Sequence, residues 1–497
     1  MIERHPEAAV RRRYDLAIVG AGVYGIALTL EAARRGLRPL LVERHDFGGE
    51  TSWNSLRIIH GGLRSLQRLD VRRFREMVDE RRWWLRNFPE LVEPLPCLMP
   101  LYGRGLRRPA VLRLALAASD LLSRQRNVGV RADRALPGGS ILGPAETLAI
   151  CPHLDRRSLL GGALWHDGFA PDSHRLLIEM LHWATACGAV VLNYVEATGL
   201  SVHHGKVTGL ELRDADSGRM LEVEAPAVVN CSGPWCRQLA AAFDRDIPGL
   251  FHRSLAFNVC FDREPLAEAA VAVAPEVPQG RTYFLVPWKG RILAGTFHAK
   301  WSHSREQEGV DDRLLERLLD DLNGAIPGLD LQPQEALRTF SGLVPARRSG
   351  SDELVTRDVI RHHADHGGPE GLFSVSGVKF TTARGVAEKA LRKIQAWRGA
   401  ALSEPSGTRR PDTLHPSPWG EFRKLQLNDS AEACRYLRRL VGEEAVLHLD
   451  DLMYRRTDWA FDPRESGSRA TLVAQLLDSD EILAGGVVGG GVAKSDR

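Results

Sequence analysis

The sequence predicts a mixed α/β fold of two or three domains, and three observations support it. The first is a strand, a glycine-rich turn, a helix and a second strand within residues 14–43. The second is a pair of strands, 281–285 and 291–296, on either side of a Trp-Lys-Gly turn, which predicts an antiparallel sheet. The third is the helical character of the C-terminal segment. The length of 497 residues suits this organisation at about 150 residues per domain.

The N-terminal strand and turn form a dinucleotide-binding fingerprint of the Rossmann type. Residues 14–19 (YDLAIV) predict a buried parallel strand, and the next six, GAGVYG, match GxGxxG. In this pattern Gly20 allows the tight turn, Gly22 lets the backbone approach a pyrophosphate, and Gly25 lets the helix pack against the strand. A second strand ends at Glu43, where a carboxylate is expected to bind ribose hydroxyls.

Composition excludes several classes of function. The 66 basic and 63 acidic residues nearly balance, so nucleic acid is not an expected partner. Seven scattered cysteines without a CxxC pair predict reduced thiols in a reducing compartment. The arginines at 11–13 are not interpreted as an export signal, because Asp15 interrupts the apolar run that follows. No stretch approaches the roughly 18 apolar residues of a membrane span. The histidine groups at 203–204 and 362–366 lack helical context, and no metal site is predicted.

Later segments resemble the FAD-dependent (aerobic) glycerol-3-phosphate dehydrogenase family, within the D-amino-acid-oxidase-like flavoprotein superfamily. Residues 51–66 read TSWNSLRIIHGGLRSL, close to the family pattern TSxxSxKLIHGGLRYL. The segments 228–235 (VVNCSGPW), 355–359 (VTRDV) and 373–384 (FSVSGVKFTTAR) also match, in the family's order. The resemblance covers about residues 14–391 and implies FAD as the cofactor. No second GxGxxG lies between a strand and a helix, so a separate NADPH site is not expected.

The residues themselves support a flavin site in two of these segments. Small residues after the strand at 228–230 let backbone lie against a flat cofactor. Thr381 or Thr382 is expected to cap the helix that carries Arg384, and a positive helix end would stabilise the charge of a reduced flavin. The predicted FAD contacts are Gly20, Gly22, Gly25, Glu43, Arg44, Thr51, Ser52, Ser55, His60, Gly61, Gly62, Val195, Ser232, Gly233, Trp235, Gly377, Lys379, Phe380, Thr381 and Thr382.

Oxidation of a secondary alcohol requires a base for the hydroxyl proton and cations for an anionic group. His60 is one candidate base, with a histidine that only holds backbone as the alternative; the two glycines after it predict a loop. His298 is the second candidate, with a surface imidazole as the alternative. The resemblance implies that Arg64, Arg357 and Lys379 form an anion pocket. The predicted catalytic set is His60, Arg64, His298, Arg357 and Lys379.

Three positions depart from the family pattern. Ser65 stands where the family has a tyrosine, and Val344 stands where it has an arginine thought to grip the substrate phosphate. Leu255 is the nearest match to a family histidine. Arg347 and Arg348 either compensate or form a solvated turn. The predicted function is oxidation of glycerol 3-phosphate or a related anionic alcohol by FAD, with quinone or another acceptor. An amine or amino-acid oxidase and a non-catalytic flavin-binding paralogue remain alternatives.

The resemblance also implies that the domains are interleaved and that the protein is peripheral to a membrane. Residues 107–126 are an apolar stripe with arginines at both ends, which predicts a helix that either lies on an acidic membrane surface or packs in the core. The expected location is the cytoplasm or the inner face of the membrane. The predicted divisions are an FAD-binding domain (10–105, 150–250 and 340–400), a substrate domain with insertions (106–149 and 251–339), a linker (401–418), and a short C-terminal helical domain and tail (419–497).

Overall fold

The structure is a computed structural model that describes residues 1–103, 108–275, 281–301, 310–406, 410 and 430–478. The helices are α1 (Pro6–Ala9), α2 (Val23–Ala33), α3 (Leu63–Gln67), α4 (Val71–Asn87), α5 (Pro109–Leu122), α6 (Pro144–Ile150), α7 (Ser173–Ala186), α8 (Cys236–Phe243), α9 (Asp312–Ala325), α10 (Ala383–Trp397), α11 (Ser430–Glu443) and α12 (Pro463–Asp478), with a π-helix at Asp451–Arg456. The strands are β1 (Leu16–Val19), β2 (Pro39–Val42), β3 (Ile58–Ile59), β4 (Glu93–Leu101), β5 (Ser140–Leu142), β6 (Gly161–Phe169), β7 (Val190–Leu192), β8 (Val195–His203), β9 (Lys206–Asp214), β10 (Met220–Glu224), β11 (Val228–Asn230), β12 (His252–Phe261), β13 (Ala270–Val273), β14 (Tyr283–Trp288), β15 (Arg291–Lys300), β16 (Ala336–Ala346), β17 (Val359–His362) and β18 (Leu372–Ser376).

The first sheet is the predicted nucleotide-binding sheet. Its strand order is β17-β18-β11-β1-β2-β7, and all neighbours are parallel except β17 and β18. Leu16 and Ile18 of β1 face a core formed with α2, α7 and α10. Ala17 and Val19 point to the opposite face, where the three-stranded sheet β8-β9-β10 covers them. Burial on both faces explains why β1 is apolar throughout.

The second sheet is antiparallel in most of its pairings and contains the predicted hairpin. Strands β14 and β15 pair in antiparallel fashion, with Trp288 opposite Arg291. Helix α9 packs on this sheet through Leu314, Leu318 and Leu322, and Asp311 caps it by accepting a hydrogen bond from the backbone N–H of Leu314. The α/β fold class is therefore confirmed.

The sheets divide the chain differently from the predicted boundaries. Strands β4 and β6 lie within the ranges predicted for the FAD-binding domain, yet they belong to the nine-stranded second sheet. Strand β16 also belongs to the second sheet, although the part of it from residue 340 onward lies in a range predicted for the FAD-binding domain. The alternation within a strand indicates which side faces a core, but long-range pairing decides which sheet the strand joins.

Helix α5 has one buried and one exposed apolar side. Leu112 and Leu116 pack against Leu101 and Ala163, whereas Leu114 is 74% exposed and Leu121 is 68% exposed. The helix thus combines features of the two predicted alternatives, core packing and a surface stripe. In the described part of the chain, no helix has the length and apolar character needed to cross a bilayer.

The C-terminal helices have their own small core and are joined to the nucleotide-binding domain by buried ions. Arg456 is fully buried; its guanidinium donates to both carboxylate oxygens of Asp46 at 2.8 and 2.9 Å and to the backbone oxygen of Glu444. The Glu444 carboxylate in turn accepts two hydrogen bonds from Arg175, at 2.7 and 2.8 Å. Asp46 lies three residues after Glu43, so this network supports the end of the fingerprint. Of the predicted linker and tail, residues 407–409, 411–429 and 479–497 lie outside the described residues.

Replacement of Arg456 with methionine is expected to lower the free energy of unfolding by about 3–5 kcal/mol, because it leaves part of the buried Asp46 charge uncompensated. Chemical denaturation of the FAD-loaded protein measures the change. Arg464→Met is the matched control, since that side chain is half exposed and its ion pairs to Asp262 and Asp462 are in contact with solvent. Equal unfolding midpoints for both variants would contradict the assigned role of the network.

Candidate active site

The turn between β1 and α2 is so tight that it excludes side chains. Gly20 has a φ of +101°, and a Cβ there would lie 2.8 Å from the carbonyl oxygen of Cys231. A Cβ at Gly25 would overlap the carbonyl oxygen of Gly20. The turn therefore requires glycine at both positions, and bare backbone is left at the start of α2. This is the cradle that a cofactor pyrophosphate requires, so the residues present fit a bound dinucleotide.

Hydrogen bonds fix the two sides of this cradle. The backbone N–H of Val23, in the first turn of α2, donates to Ser52 Oγ at 3.0 Å. Glu43 Oε2 accepts from the backbone N–H of Ala21 at 2.7 Å, and Oε1 accepts from that of His45 at 3.0 Å. Each carboxylate oxygen keeps a lone pair for another donor. Glu43 is thus held beside the turn with acceptor capacity left for a ribose hydroxyl.

Arg44 and residues from two further segments lie near Glu43. The Arg44 guanidinium lies 5.1 Å from the ring centroid of Trp235. The backbone N–H of Val195 donates to the carbonyl oxygen of Glu43 at 2.8 Å. The short turn after β11 brings Trp235 to this place, with a φ of +56° at its glycine. The predicted cofactor contacts in this group are Arg44, Val195, Ser232, Gly233 and Trp235.

The loop after β2 connects the cofactor cradle to the second sheet. Thr51 Oγ1 donates to the carbonyl oxygen of Leu343 in β16 at 2.9 Å, and Ser55 Oγ accepts from the backbone N–H of Arg57 at 3.4 Å. Val344 follows Leu343 directly, so the position that carries an arginine in the family pattern lies one residue from this tether. A side chain there is half-buried and apolar in this chain.

The segment from Gly377 to Thr382 is locked onto α2 by a tyrosine. The Tyr24 hydroxyl donates to the carbonyl oxygen of Lys379 at 2.7 Å and accepts from its backbone N–H at 2.9 Å. A Cβ at Gly377 would overlap the Tyr24 ring. The Phe380 ring lies 5.6 Å from that of Trp84. Residues 377–382 therefore approach the N-terminal end of α2 and, with it, the cofactor cradle.

The expected helix cap at Thr381 or Thr382 is wrong. Thr381 Oγ1 accepts from the backbone N–H of His60 at 3.1 Å, and Thr382 Oγ1 donates to the carbonyl oxygen of Lys379. Neither hydroxyl caps α10. The bond from Thr381 instead joins two predicted flavin segments that are 321 residues apart.

His60 lies at the end of β3 with its ring held by an aspartate. Its Nδ1 is 3.1 Å from Asp167 Oδ2. The other carboxylate oxygen of Asp167 accepts from the backbone N–H of Gly61 and from Arg81, both at 2.7 Å. Burial raises the pKa of Asp167, but the hydrogen bond from His60, the charge of Arg81 and the bond from Gly61 hold this pKa well below its usual range. Gly62 has a φ of +86° and begins α3, so Arg64 lies on a short helix and not on the predicted loop.

Several positive charges act on Lys379, in the segment whose Thr381 is bonded to His60. Burial, together with Arg73 and Arg64, lowers the pKa of Lys379 to about 8. Burial also lowers the pKa of Arg64, and the charge of Arg281 adds to this lowering. The same Arg281 donates to the carbonyl oxygen of His298 at 2.9 Å. The charge of Arg64 thus acts on both Lys379 and His298 of the predicted catalytic set.

The two remaining candidates are placed differently from each other. His298 is half-buried, so the surface-imidazole alternative is wrong; burial and Arg281 lower its pKa to about 4. Arg357 is 79% exposed, and its guanidinium lies 3.9 Å from Asp70. Arg357 therefore stands apart from the Arg64–Lys379 group.

Sequence reasoning missed three residues that shape this site. Asp167 and Arg81 hold His60, and Arg281 adds a cation beside His298. None lies in a motif that the resemblance covers, and each is far from His60 in sequence. The only local signal was His166-Asp167-Gly168 within an otherwise apolar strand. Among the described residues, no cluster of histidine, cysteine and carboxylate side chains has the arrangement of a metal site.

At two of the departures from the family pattern, the side chain of this protein packs in the interior. Ser65 is buried, with its Oγ 3.9 Å from Met77 Sδ. Leu255 is buried in the core beneath the second sheet and pairs with Leu343 across the β12–β16 ladder. Ser65 and Leu255 therefore serve as packing residues, at positions where the family pattern has a tyrosine and a histidine respectively.

Comparison with known proteins agrees with this geometry. Residues 15–391 match the DAO family of FAD-dependent oxidoreductases. The chain is 30% identical to the glycerol-3-phosphate dehydrogenase of Synechocystis over 400 residues, which are 77% of this chain and 70% of the relative. It is 28% identical to the mitochondrial glycerol-3-phosphate dehydrogenase of Arabidopsis thaliana, covering 76% of this chain and 60% of the relative. The chain thus spans about two thirds of the length of these relatives.

Solved structures show the same fold. The glycerol-3-phosphate dehydrogenase from Bacillus halodurans, complexed with FAD, superposes with a TM-score of 0.64 at 22% identity, covering 95% of this chain and 83% of that one. The L-alpha-glycerophosphate oxidase from Mycoplasma pneumoniae, with FAD bound, gives a TM-score of 0.54 at 16% identity, covering 79% and 97%.

Proposed function

Because this chain belongs to the FAD-dependent glycerol-3-phosphate dehydrogenase family, within the FAD-dependent oxidoreductases, we propose that it oxidises an anionic alcohol of the glycerol 3-phosphate class. Its cofactor is FAD, which accepts a hydride when bound. The observation that carries the substrate proposal is that the charges of Arg64 and Lys379 act on each other, while Thr381, two residues after Lys379, is bonded to the backbone of His60. An imidazole for the hydroxyl proton and cations for an anionic group are the two features that such a substrate requires.

The chain's own residues divide the work of the reaction. His60 Nδ1 is occupied by Asp167, so Nε2 is the ring nitrogen left to accept the proton of the substrate hydroxyl. Thr381 holds the backbone of His60 and thereby sets the ring beside the segment that carries Lys379. Arg64 and Lys379 are proposed to bind the anionic group and orient the carbon that is oxidised.

The anionic group is held without the arginine that the family pattern places at position 344. Arg64 comes from the start of α3 and Lys379 from the loop before α10, while Arg281 lies two residues before β14. Arg281 also pairs with Asp352 at 2.8 Å, so it is proposed to contribute part of its charge to the pocket. A lysine gives a point charge where the arginine fork would give two parallel hydrogen bonds, and weaker phosphate binding is expected.

Anaerobic mixing of the FAD-loaded protein with glycerol 3-phosphate tests the proposal directly. Loss of the oxidised flavin absorbance supports it. Bleaching by amino acids or amines, with none by glycerol 3-phosphate, would instead favour an oxidase of the same superfamily. No bleaching by any polyol phosphate, hydroxy acid or amine would favour a flavin-binding protein without turnover.

Binding of the anionic substrate is expected to weaken as pH rises from 7 to 9. The pKa of Lys379 is lowered to about 8 by burial and neighbouring arginines, so its ammonium charge is present below that pH and lost above it. A phosphate monoester is already a dianion there, because its second pKa is about 6. The measurement is substrate affinity for the oxidised enzyme across this range. Lys379→Arg is the matched variant: it keeps the charge at high pH and should flatten the profile, whereas an unchanged profile would contradict the role of Lys379.

We further propose that the protein associates with the cytoplasmic face of an anionic membrane through α5 and passes electrons to a quinone there. The outer side of α5 exposes Leu114 and Leu121, with Arg113 and Arg124 exposed beside them. Apolar groups next to cations suit the boundary of anionic headgroups and acyl chains.

Replacing Leu114 and Leu121 together with glutamate should weaken binding to phosphatidylcholine–phosphatidylglycerol vesicles at least about tenfold, because two leucine side chains that would insert into the bilayer are lost. Vesicle sedimentation measures it, and Met220→Glu, another exposed apolar position, is the control. Equal binding by all variants would exclude α5. Comparing the rate at which a soluble quinone reoxidises the reduced flavin with the rate for oxygen then tests the identity of the electron acceptor.

A further inference from the structure

The Asp167 carboxylate has more hydrogen-bond donors around it than a structural aspartate of a strand requires. It lies at the end of β6, is almost completely buried, and receives a bond on each oxygen. Oδ1 accepts from the backbone N–H of Gly61 and from Arg81, both at 2.7 Å, and Oδ2 faces His60 Nδ1 at 3.1 Å. The carboxylate is thus fixed in position and keeps one oxygen for the imidazole.

The residues around Asp167 determine which of its carboxylate oxygens faces His60. A Cβ at Gly61 would overlap the Arg81 guanidinium, so the glycine is what lets Arg81 reach Oδ1. Arg81 also donates to the carbonyl oxygen of His166 at 2.7 Å, which anchors it to β6. Trp165 Nε1 donates to Oδ2 at 3.4 Å from the same strand. The orientation of the carboxylate is therefore set by Arg81 and Trp165 as well as by the backbone of Gly61 beside His60.

We infer that Asp167 is a positioning residue that holds His60 in the tautomer with the proton on Nδ1 and Nε2 free. An ionised carboxylate only accepts hydrogen bonds, so His60 Nδ1 must be the donor in this pair. Nε2 is then an acceptor, as a base for a hydroxyl proton must be. When Nε2 takes that proton, the adjacent carboxylate stabilises the imidazolium, and no proton moves to Asp167. This inference rests on the proposed function, because it assigns His60 the part of base.

Asp167→Asn is expected to reverse the tautomer. The two donors Gly61 N–H and Arg81 keep an amide oxygen at the Oδ1 position, so the amide NH₂ must lie at the Oδ2 position. There it donates to His60 Nδ1, and the ring proton moves to Nε2, where it blocks acceptance of the substrate proton. Loss of a correctly oriented base lowers the rate by about 10²–10⁴-fold.

The test combines a spectrum that needs no substrate with a rate. In ¹⁵N-histidine NMR of the FAD-loaded wild-type protein, His60 should show a protonated Nδ1 and an unprotonated Nε2, with its signal assigned by its absence in His60→Gln. In Asp167→Asn the pattern should reverse, anaerobic flavin reduction should slow by at least about 100-fold, and the acid limb of its pH profile should move to lower pH. Asp120→Asn is the control. That aspartate lines the same cavity as Arg81 and Asp167 but pairs with Arg126 at 3.1 Å, and its substitution should leave both readouts unchanged.

The outcomes separate this inference from the proposed function. A wild-type spectrum with the proton on Nε2 overturns the positioning role even if Asp167→Asn does not fold. Reduction at the wild-type rate in a folded, FAD-loaded Asp167→Asn protein overturns it as well. If no substrate reduces the wild-type flavin, the proposed function fails, while the tautomer measurement still decides how Asp167 holds His60.

Discussion

Gly25→Ala is expected to weaken FAD binding strongly. The added methyl group would overlap the carbonyl oxygen of Gly20, which is backbone and cannot move aside as a flexible side chain would. Gly20 is itself confined, because its own Cβ position lies 2.8 Å from the carbonyl oxygen of Cys231. The only relief is to push α2 away from β1, which displaces the backbone N–H groups that face the pyrophosphate. Overpacking of this kind costs about 1–3 kcal/mol or more, and here the cost falls on the cofactor site.

The flavin-to-protein ratio after purification, and titration of the apoprotein with FAD, measure the effect. The dissociation constant should rise at least about tenfold to 100-fold, the range that corresponds to that cost. Gly324→Ala is the matched control. It lies in α9 with open space around its Cβ position, and alanine there should preserve FAD while stabilising the helix slightly. A Gly25→Ala protein that retains stoichiometric FAD would show that the turn has another purpose.

The fingerprint could be predicted from the sequence because its chemistry is local. Gly20, Gly22, Gly25 and Glu43 lie within one strand–helix–strand unit, so spacing alone orders them along one edge of the sheet. The hairpin around residues 288–290 is local for the same reason, since two short strands flank a Trp-Lys-Gly turn.

The long-range contacts that hold the site residues in place could not be predicted from local sequence. His60 depends on Asp167, which is 107 residues away, and on Thr381, which is 321 residues away. The expectation that Thr381 caps α10 followed from local preference, but the hydroxyl is used by a distant backbone N–H instead. Asp46 and Arg456 likewise form one buried pair across 410 residues. A single sequence contains no signal that relates such positions.

The residues of the substrate pocket could be predicted only in part. Arg64 and Lys379 were predicted through resemblance, and in the structure the charge of Arg64 helps to lower the pKa of Lys379. Arg357 matched the same pattern, yet its side chain is in solvent. Motif matches place the backbone of a segment in the fold, but packing decides which of its side chains turn inward.

His60→Gln is expected to slow anaerobic reduction of the bound flavin by the substrate by about 10²–10⁴-fold, because it removes the base that accepts the hydroxyl proton. FAD content should be unchanged, since the bond between His60 and Thr381 uses the backbone N–H, which every side chain retains. Substrate affinity should change little, because Arg64 and Lys379 provide the charge for the anionic group. Stopped-flow reduction over a range of substrate concentrations separates the rate from the affinity.

His203→Gln is the matched control, because that imidazole is exposed at the end of β8, in the sheet that covers the other face of the nucleotide-binding domain. It should reduce at the wild-type rate. If His60→Gln also reduced at that rate, His298 would become the base to test, since burial keeps its imidazole neutral and its pKa is lowered to about 4. A neutral imidazole with so low a pKa is a weak proton acceptor near pH 7, which is why His60, held by a carboxylate, is the better placed of the two.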